Sequence, residues 1–195
     1  AEGGVTRYEY DPRNLQTLTV YPNDDEFTGN GDFDRVAMAY DGLSRPRTKT
    51  DQLGDTCTYI YDLAGRLLEK QYAAAAGSPN LPDDGENDVF TYDAASRLLT
   101  ATSQRYDNVV TYTWTDDGLI ASESLTIPAS APGSGQTYTV QRGYDADDRL
   151  TSITYPDGRV VTRSYFDDDT LDAVTFAGNP IIDRTYDAAN RLTQT

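Results

Sequence analysis

The chain has 195 residues, a formal charge of −16 at pH 7 and a sequence pI near 4.1, so its surface repels phosphate backbones and anionic bilayers. It has no histidine and one cysteine, Cys57, which excludes an internal disulfide, His-dependent nucleophilic catalysis and ordinary His- or thiolate-based zinc sites. No apolar run is long enough to span a bilayer, and 195 residues are enough to bury a core.

Fifteen tyrosines, with abundant Thr and Asp, suit short half-buried strands joined by polar turns. The N-terminus, Ala1-Glu2-Gly3-Gly4-Val5, shows no signal peptide.

Internal repetition organises the rest. In chain order, a Tyr-Asp start appears at Tyr10-Asp11 and Tyr40-Asp41, then more fully at Tyr61-Asp62-Leu63-Ala64-Gly65-Arg66-Leu67. The same Y-D-x-x-x-R-L pattern recurs at Tyr92, Asp93, Arg97 and Leu98, at Tyr144, Asp145, Arg149 and Leu150, and at Tyr186, Asp187, Arg191 and Leu192. Two copies are disguised. Trp114 and Ile120 stand in the Tyr and Leu places of one, and Tyr165-Phe166 to Leu171 carries Thr170 where Arg is expected. The starts near 10, 40, 61, 92, 114, 144, 165 and 186 are separated by 30, 21, 31, 22, 30, 21 and 21 residues. The base period is therefore 21 or 22 residues, and three units carry insertions. The expectation is a single array over 1–195, truncated at both ends.

This pattern resembles the YD (Rhs) repeat family, with Tyr61 to Leu67 the most family-like copy. Members include bacterial Rhs polymorphic toxin shells, shell components of insecticidal toxin complexes, wall-associated proteins and teneurins. The resemblance implies a long β-strip that spirals into a hollow shell.

The residues themselves point the same way. Val36 to Tyr40, Val89 to Tyr92 and Val109 to Trp114 read as strands. The Asp after each Tyr starts a tight turn by accepting backbone N–H groups, and Ser96, Asp148 and Asn190 tolerate the turn position that Gly65 fills. The returning strand begins at Arg-Leu and turns again at Pro156-Asp157-Gly158, at Gly54, or at Phe176 to Pro180. Each unit is one β-hairpin. The predicted fold class is all-β: an antiparallel meander of repeated hairpins forming a twisted, curved, open strip.

Tyr rings are expected to line up across the sheet, with Arg stacking on neighbouring ring faces. The insertions, Asn23 to Asp34, Ala73 to Asp88 and Pro128 to Gln136, all follow the first strand after a Y-D turn. They are predicted to project from one edge, exposed and mobile, with the Y-D turns on the other.

Catalytic chemistry finds little footing. The acidic clusters Asp145/Asp147/Asp148, Asp167/Asp168/Asp169 and Asp83/Asp84/Glu86 offer carboxylate pairs for glycoside hydrolysis or weak calcium binding. Turn chemistry explains the first two, so no enzyme, no cofactor and no dedicated metal site is expected. Cys57 reads as a small buried strand residue. The function expected is a non-enzymatic scaffold within a large secreted or cell-surface protein. Its partners would be the rest of the parent polypeptide and, by resemblance, an encapsulated toxin domain. The alternative is a carbohydrate-binding or adhesion module that uses aromatic rings on the sheet. Cut sheet edges could also pair two chains.

Overall fold

The computed structural model describes residues 5–22, 35–76, 86–129 and 135–194, and these contain strands and turns but no helix. The strands run β1 Arg7–Tyr10, β2 Gln16–Val20, β3 Arg35–Tyr40, β4 Pro46–Thr50, β5 Thr56–Tyr61, β6 Leu67–Ala73, β7 Asp88–Tyr92, β8 Leu98–Ser103 and β9 Asn108–Trp114. They continue as β10 Ile120–Ile127, β11 Gln136–Tyr144, β12 Leu150–Thr154, β13 Val160–Tyr165, β14 Leu171–Phe176 and β15 Asn179–Asp183. A short hairpin, β16 Thr185–Tyr186 and β17 Leu192–Gln194, forms its own two-stranded sheet. From β1 to β15 the hydrogen-bonded order is the sequence order, with no crossover, and β1 and β15 end the series without meeting each other. This is the antiparallel hairpin meander that the repeat predicts, and it is not closed.

Backbone contacts divide the chain into a unit of Ala1–Thr91 with Thr102–Arg105 and a unit of Tyr92–Ala101 with Tyr106–Thr195. In the first unit, Y-D turns join β1 to β2, β3 to β4 and β5 to β6, whereas the segments from β2 to β3 and from β6 to β7 contain the insertions. In the second, the turns opening at Thr115, Asp145 and Phe166 again follow odd strands, and the insertion joins even β10 to odd β11. Alternation of strand direction therefore puts motif turns at one strand end and insertions at the other within each unit. Residues 23–34, 77–85 and 130–134 lie outside the described residues, and with them the expectation of mobility.

One loop geometry recurs ten times. In each, the first loop residue donates its N–H to the carbonyl four residues on, and the fourth donates back to the first: Asp62 N to Arg66 O, 2.9 Å, and Gly65 N to Asp62 O, 3.0 Å. The fourth residue has positive φ throughout, from 56° at Asn190 to 87° at Gly65. This is a type I turn closed by a left-handed residue, which leaves a bulge in the strand. Six of the seven Y-D-type hairpins with a recorded register show their shift beside the motif Tyr, as at Ile60/Tyr61 and Ser164/Tyr165; the seventh shifts at Ile120/Ser122. The loops at Asp51 to Asp55 and Tyr155 to Arg159, on the opposite strand ends, have the same geometry. Pro156-Asp157-Gly158 is thus not a different turn but a second use of the same one. Ala177-Gly178 makes a tighter two-residue connection, with φ of 49° and 79°, and Pro180 already belongs to β15.

Residues paired in register share a sheet face. In the second unit one face is hydroxylic. Thr113 and Ser122, Ser124 and Thr139, Thr126 and Thr137, and Thr162 and Thr175 sit opposite each other with oxygens 2.6, 2.9, 3.0 and 2.6 Å apart. The other face pairs Tyr112 with Glu123, Val110 with Leu125, Leu125 with Tyr138, Ile153 with Val161 and Val161 with Phe176. In the first unit Thr48 and Thr50 face Thr58 and Thr56, while Met38, Lys49, Cys57 and Tyr72 share the opposite face.

The expected core is absent: no hydrophobic side chain among the described residues is fully buried, and the buried residues are Thr19 and Asp55. The described strands of the first unit all belong to one sheet, so that unit supplies no second layer of strands among its described residues. Cys57 accordingly is half-buried rather than interior.

Candidate functional site: the motif-turn lattice

Each motif Asp is the centre of its own loop. Asp62 Oδ1 accepts the N–H of Arg66 at 2.9 Å, and Oδ2 accepts Arg66 Nε at 2.6 Å. Asp41 with Arg45, Asp93 with Arg97, Asp145 with Arg149 and Asp187 with Arg191 repeat both bonds, the Nε contacts lying between 2.6 and 2.8 Å. The Asp also takes the N–H two residues on, as in Leu43 to Asp41 at 2.8 Å and Ala189 to Asp187 at 2.9 Å. These donors favour the carboxylate. In Asp41, Asp62, Asp93 and Asp187 the backbone bond from the motif Arg leads in holding the carboxyl below its ordinary range.

The Arg thus held reaches forward to the next unit. Arg45 lies over the Tyr61 ring at 4.3 Å, Arg97 over Trp114 at 5.5 Å and Arg149 over Tyr165 at 5.1 Å. Its outer nitrogen then meets the following loop: Arg97 Nη1 donates to Thr115 O at 3.1 Å and Arg149 Nη1 to Asp169 Oδ1 at 2.5 Å. The first unit does the same from a shifted position, since Arg13, not residue 15, donates to Asp41 O at 2.7 Å. At these junctions a guanidinium covers the ring face, where sequence had suggested a ladder of rings as well. A ring does the covering at Tyr186, which Phe166 meets edge-on at 6.0 Å.

The motif ring reaches back. Tyr40 hydroxyl donates to Gln16 O, Trp114 Nε1 to Leu98 O, Tyr144 to Ile120 O, Tyr165 to Leu150 O and Tyr186 to Leu171 O, all at 2.8–3.0 Å. Each acceptor is the seventh motif position of the preceding unit. The bulge beside each Tyr re-aims its ring. Sequence reading had named the motif residues at Tyr61, Tyr92, Tyr144 and Tyr186 but neither Arg13 nor Arg45, nor the backbone carbonyl acceptors, which carry no side-chain signal.

Of the motif residues singled out by sequence, Tyr61, Asp62, Gly65, Arg66 and Leu67 form or flank the loop from β5 to β6, and Tyr92, Asp93, Arg97 and Leu98 the loop from β7 to β8. Tyr144, Asp145, Arg149 and Leu150 do so in the second unit, and Tyr186, Asp187, Arg191 and Leu192 form the terminal hairpin. The motif aromatics from Tyr40 to Tyr186 are half-buried. The exposed rings are the first motif tyrosine, Tyr10, and, outside the motif Tyr position, Tyr8, Tyr21, Tyr106, Tyr138, Tyr155 and Phe166.

Sequence reading missed Asp55. It is buried, and its Oδ1 accepts the N–H of Ala75 at 2.8 Å, tying a loop to the residues that follow β6. Among the described residues no group of three or more His, Cys, Asp or Glu is placed to hold a metal ion; Asp83 and Asp84 lie outside them. No described helix is long and apolar enough to cross a membrane.

Comparison with known proteins agrees with this geometry. Residues 144–170 match the family model described as RHS Repeat. No curated protein matches the chain in sequence. Among solved structures, TcdB2-TccC3-Cdc42 superposes with a TM-score of 0.64 at 17% identity, over 97% of this chain and 11% of that one. TcdB2-TccC3 without its hypervariable C-terminal region gives 0.62 at 18%, and so does a Photorhabdus luminescens Tc holotoxin pore, with the same coverages. At such identity the likeness is one of fold, and this chain spans about a ninth of those chains' length. Residues 144–170, which match that model, contain the Tyr144 loop and its clamp onto Tyr165, and the same loop geometry recurs in the other units.

Proposed function

We propose that the array is a non-enzymatic wall segment in the shell of a larger secreted or cell-surface protein, and that this shell encloses a C-terminal toxin segment of the parent. The roles of the motif residues follow: Asp shapes the loop, Arg bridges to the next loop, and Tyr ties back to the loop before. One observation carries the reading. The motif groups are spent on one another across successive repeats, leaving the half-buried rings of Tyr61, Trp114 and Tyr165 capped by guanidinium groups rather than offered to a ligand. The hydroxylic opposite face supports a wall as well.

Limited proteolysis of the intact parent tests this. A downstream segment should resist digestion in the native array and lose that resistance when Arg45, Arg97 and Arg149 are together changed to Ala. Equal digestion of both forms would overturn the enclosure. The carbohydrate-binding alternative rests on the exposed rings, of which Tyr106 is 61% exposed and Tyr10 55%. Glycan-array binding lost in Tyr106→Ala and Tyr138→Ala would place it first.

A further inference from the structure

Where Thr170 stands in the Arg place, Phe166 covers the following Tyr186 ring instead; where Leu119 stands there, no cation lies over the following Tyr144 ring among the described residues. Where Arg149 closes the step from the Tyr144 loop to the Tyr165 loop, it uses the Tyr165 ring and the Asp169 carboxylate. Asp169 is the positive-φ residue of its loop. At other junctions the guanidinium takes the carbonyl of the loop's first residue, Asp41 or Thr115.

One step earlier, all three acceptors are present. The Tyr144 ring corresponds to Tyr165, the Asp148 carboxylate at positive φ corresponds to Asp169, and Asp145 O corresponds to Asp41 O and Thr115 O. The residue that should supply the guanidinium is Leu119. Leucine reproduces the stem of an arginine but carries no head group. No Lys or Arg lies over the Tyr144 ring among the described residues, and the Asp148 carboxylate makes no side-chain hydrogen bond or ion pair there. The neighbouring loop adds the exposed acids Asp116 and Asp117.

We propose that the step between Leu119 and Tyr144 is a vacant guanidinium site, filled in trans by an arginine side chain of another polypeptide segment. Flat stacking on Tyr144 and hydrogen bonds to Asp148 and the Asp145 carbonyl reproduce what Arg149 obtains in cis. Lysine lacks the planar fork that serves ring and oxygens together. This goes beyond the wall reading, which needs no partner at this junction.

The probe is Nα-acetyl-arginine amide, titrated into the isotope-labelled chain and followed by NMR. Saturable shifts should concentrate on the Tyr144 ring and the Asp148 amide. The acetyl-lysine amide should bind about two- to fivefold more weakly, the difference a ring-stacked guanidinium contributes, and the neutral citrulline analogue should not saturate. Leu119→Arg should abolish the shifts by filling the site in cis and should raise the unfolding midpoint. Asp148→Asn, which keeps a residue at ease with positive φ, should weaken binding and decides the matter if Leu119→Arg misfolds. Shifts spread equally over Tyr40 and Tyr165, equal binding of citrulline, or binding unchanged in these variants would overturn the proposal, as would no saturable shift at all.

Discussion

Replacing Arg97 by Met removes a guanidinium from over the only tryptophan of the chain, so the perturbed junction reports on itself. Two contacts are lost across the junction. Stacking over Trp114 at 5.5 Å contributes about 0.5–1 kcal/mol at a partly exposed site. The bond from Nη1 to Thr115 O at 3.1 Å contributes about 0.5–1.5 kcal/mol. The Arg97 side chain is 31% exposed, so water replaces part of both, and the low end, about 1–1.5 kcal/mol, is expected. Met keeps the stem and its packing. Urea unfolding followed by Trp114 fluorescence should show a lower midpoint with an unchanged slope, and native emission should shift as the indole loses its cation. A cycle with Trp114→Leu should return a coupling of about 0.5–1 kcal/mol. If Arg97→Met unfolds at the wild-type midpoint with unaltered emission, the guanidinium does not join successive repeats.

Gly65→Ala should cost about 1–2 kcal/mol, because φ is 87° there and the new Cβ would lie 3.3 Å from Arg45 Nη1; Ser96→Gly, at φ 65°, should be neutral or stabilising by denaturant midpoint. The backbone N–H of each motif Arg holds its Asp carboxyl below the ordinary carboxyl range, so the contribution is present above that range and is lost as pH falls through the folded values. Stability should therefore hold from neutral pH down past 5 and decline below about 4, and Asp62→Asn with Asp93→Asn should flatten that decline in an acid titration followed by circular dichroism. Burial raises the Cys57 thiol, so a disulfide reagent should label it more slowly at pH 8 than it labels a cysteine in an unfolded peptide; equal rates would contradict the half-buried placement.

The fold was legible because the repeat encodes it twice, in spacing and in turn chemistry. Tyr-Asp at regular starts, a left-handed-tolerant residue at the fourth loop position and Arg at the fifth mark five of the motif loops, and regular spacing marks those where Leu15, Leu119 and Thr170 stand in the Arg place. The loops at Asp51 to Asp55 and Tyr155 to Arg159 were harder to recognise as the same turn, because their fixed feature is a backbone hydrogen-bond pattern that several sequences satisfy. The absence of a buried hydrophobic core was hidden for a different reason. Chain length bounds how much core is possible, but Tyr, Thr and Val alternate identically in a sheet with one covered face and in a sheet with none. The lattice was only half visible. Asp with Arg could be read as a local pair, whereas the forward reach of Arg149 to Asp169 depends on the bulge beside each Tyr, for which side-chain identity gives no mark.

Electron cryo-microscopy of the full parent polypeptide tests the central claim most directly. The account predicts that residues 5–194 appear as consecutive hairpins within a shell wall, with every motif turn on one strand end and Arg45, Arg97 and Arg149 each lying over the next unit's ring. A map in which this array stands apart from any wall, with its motif rings open to solvent, would contradict it.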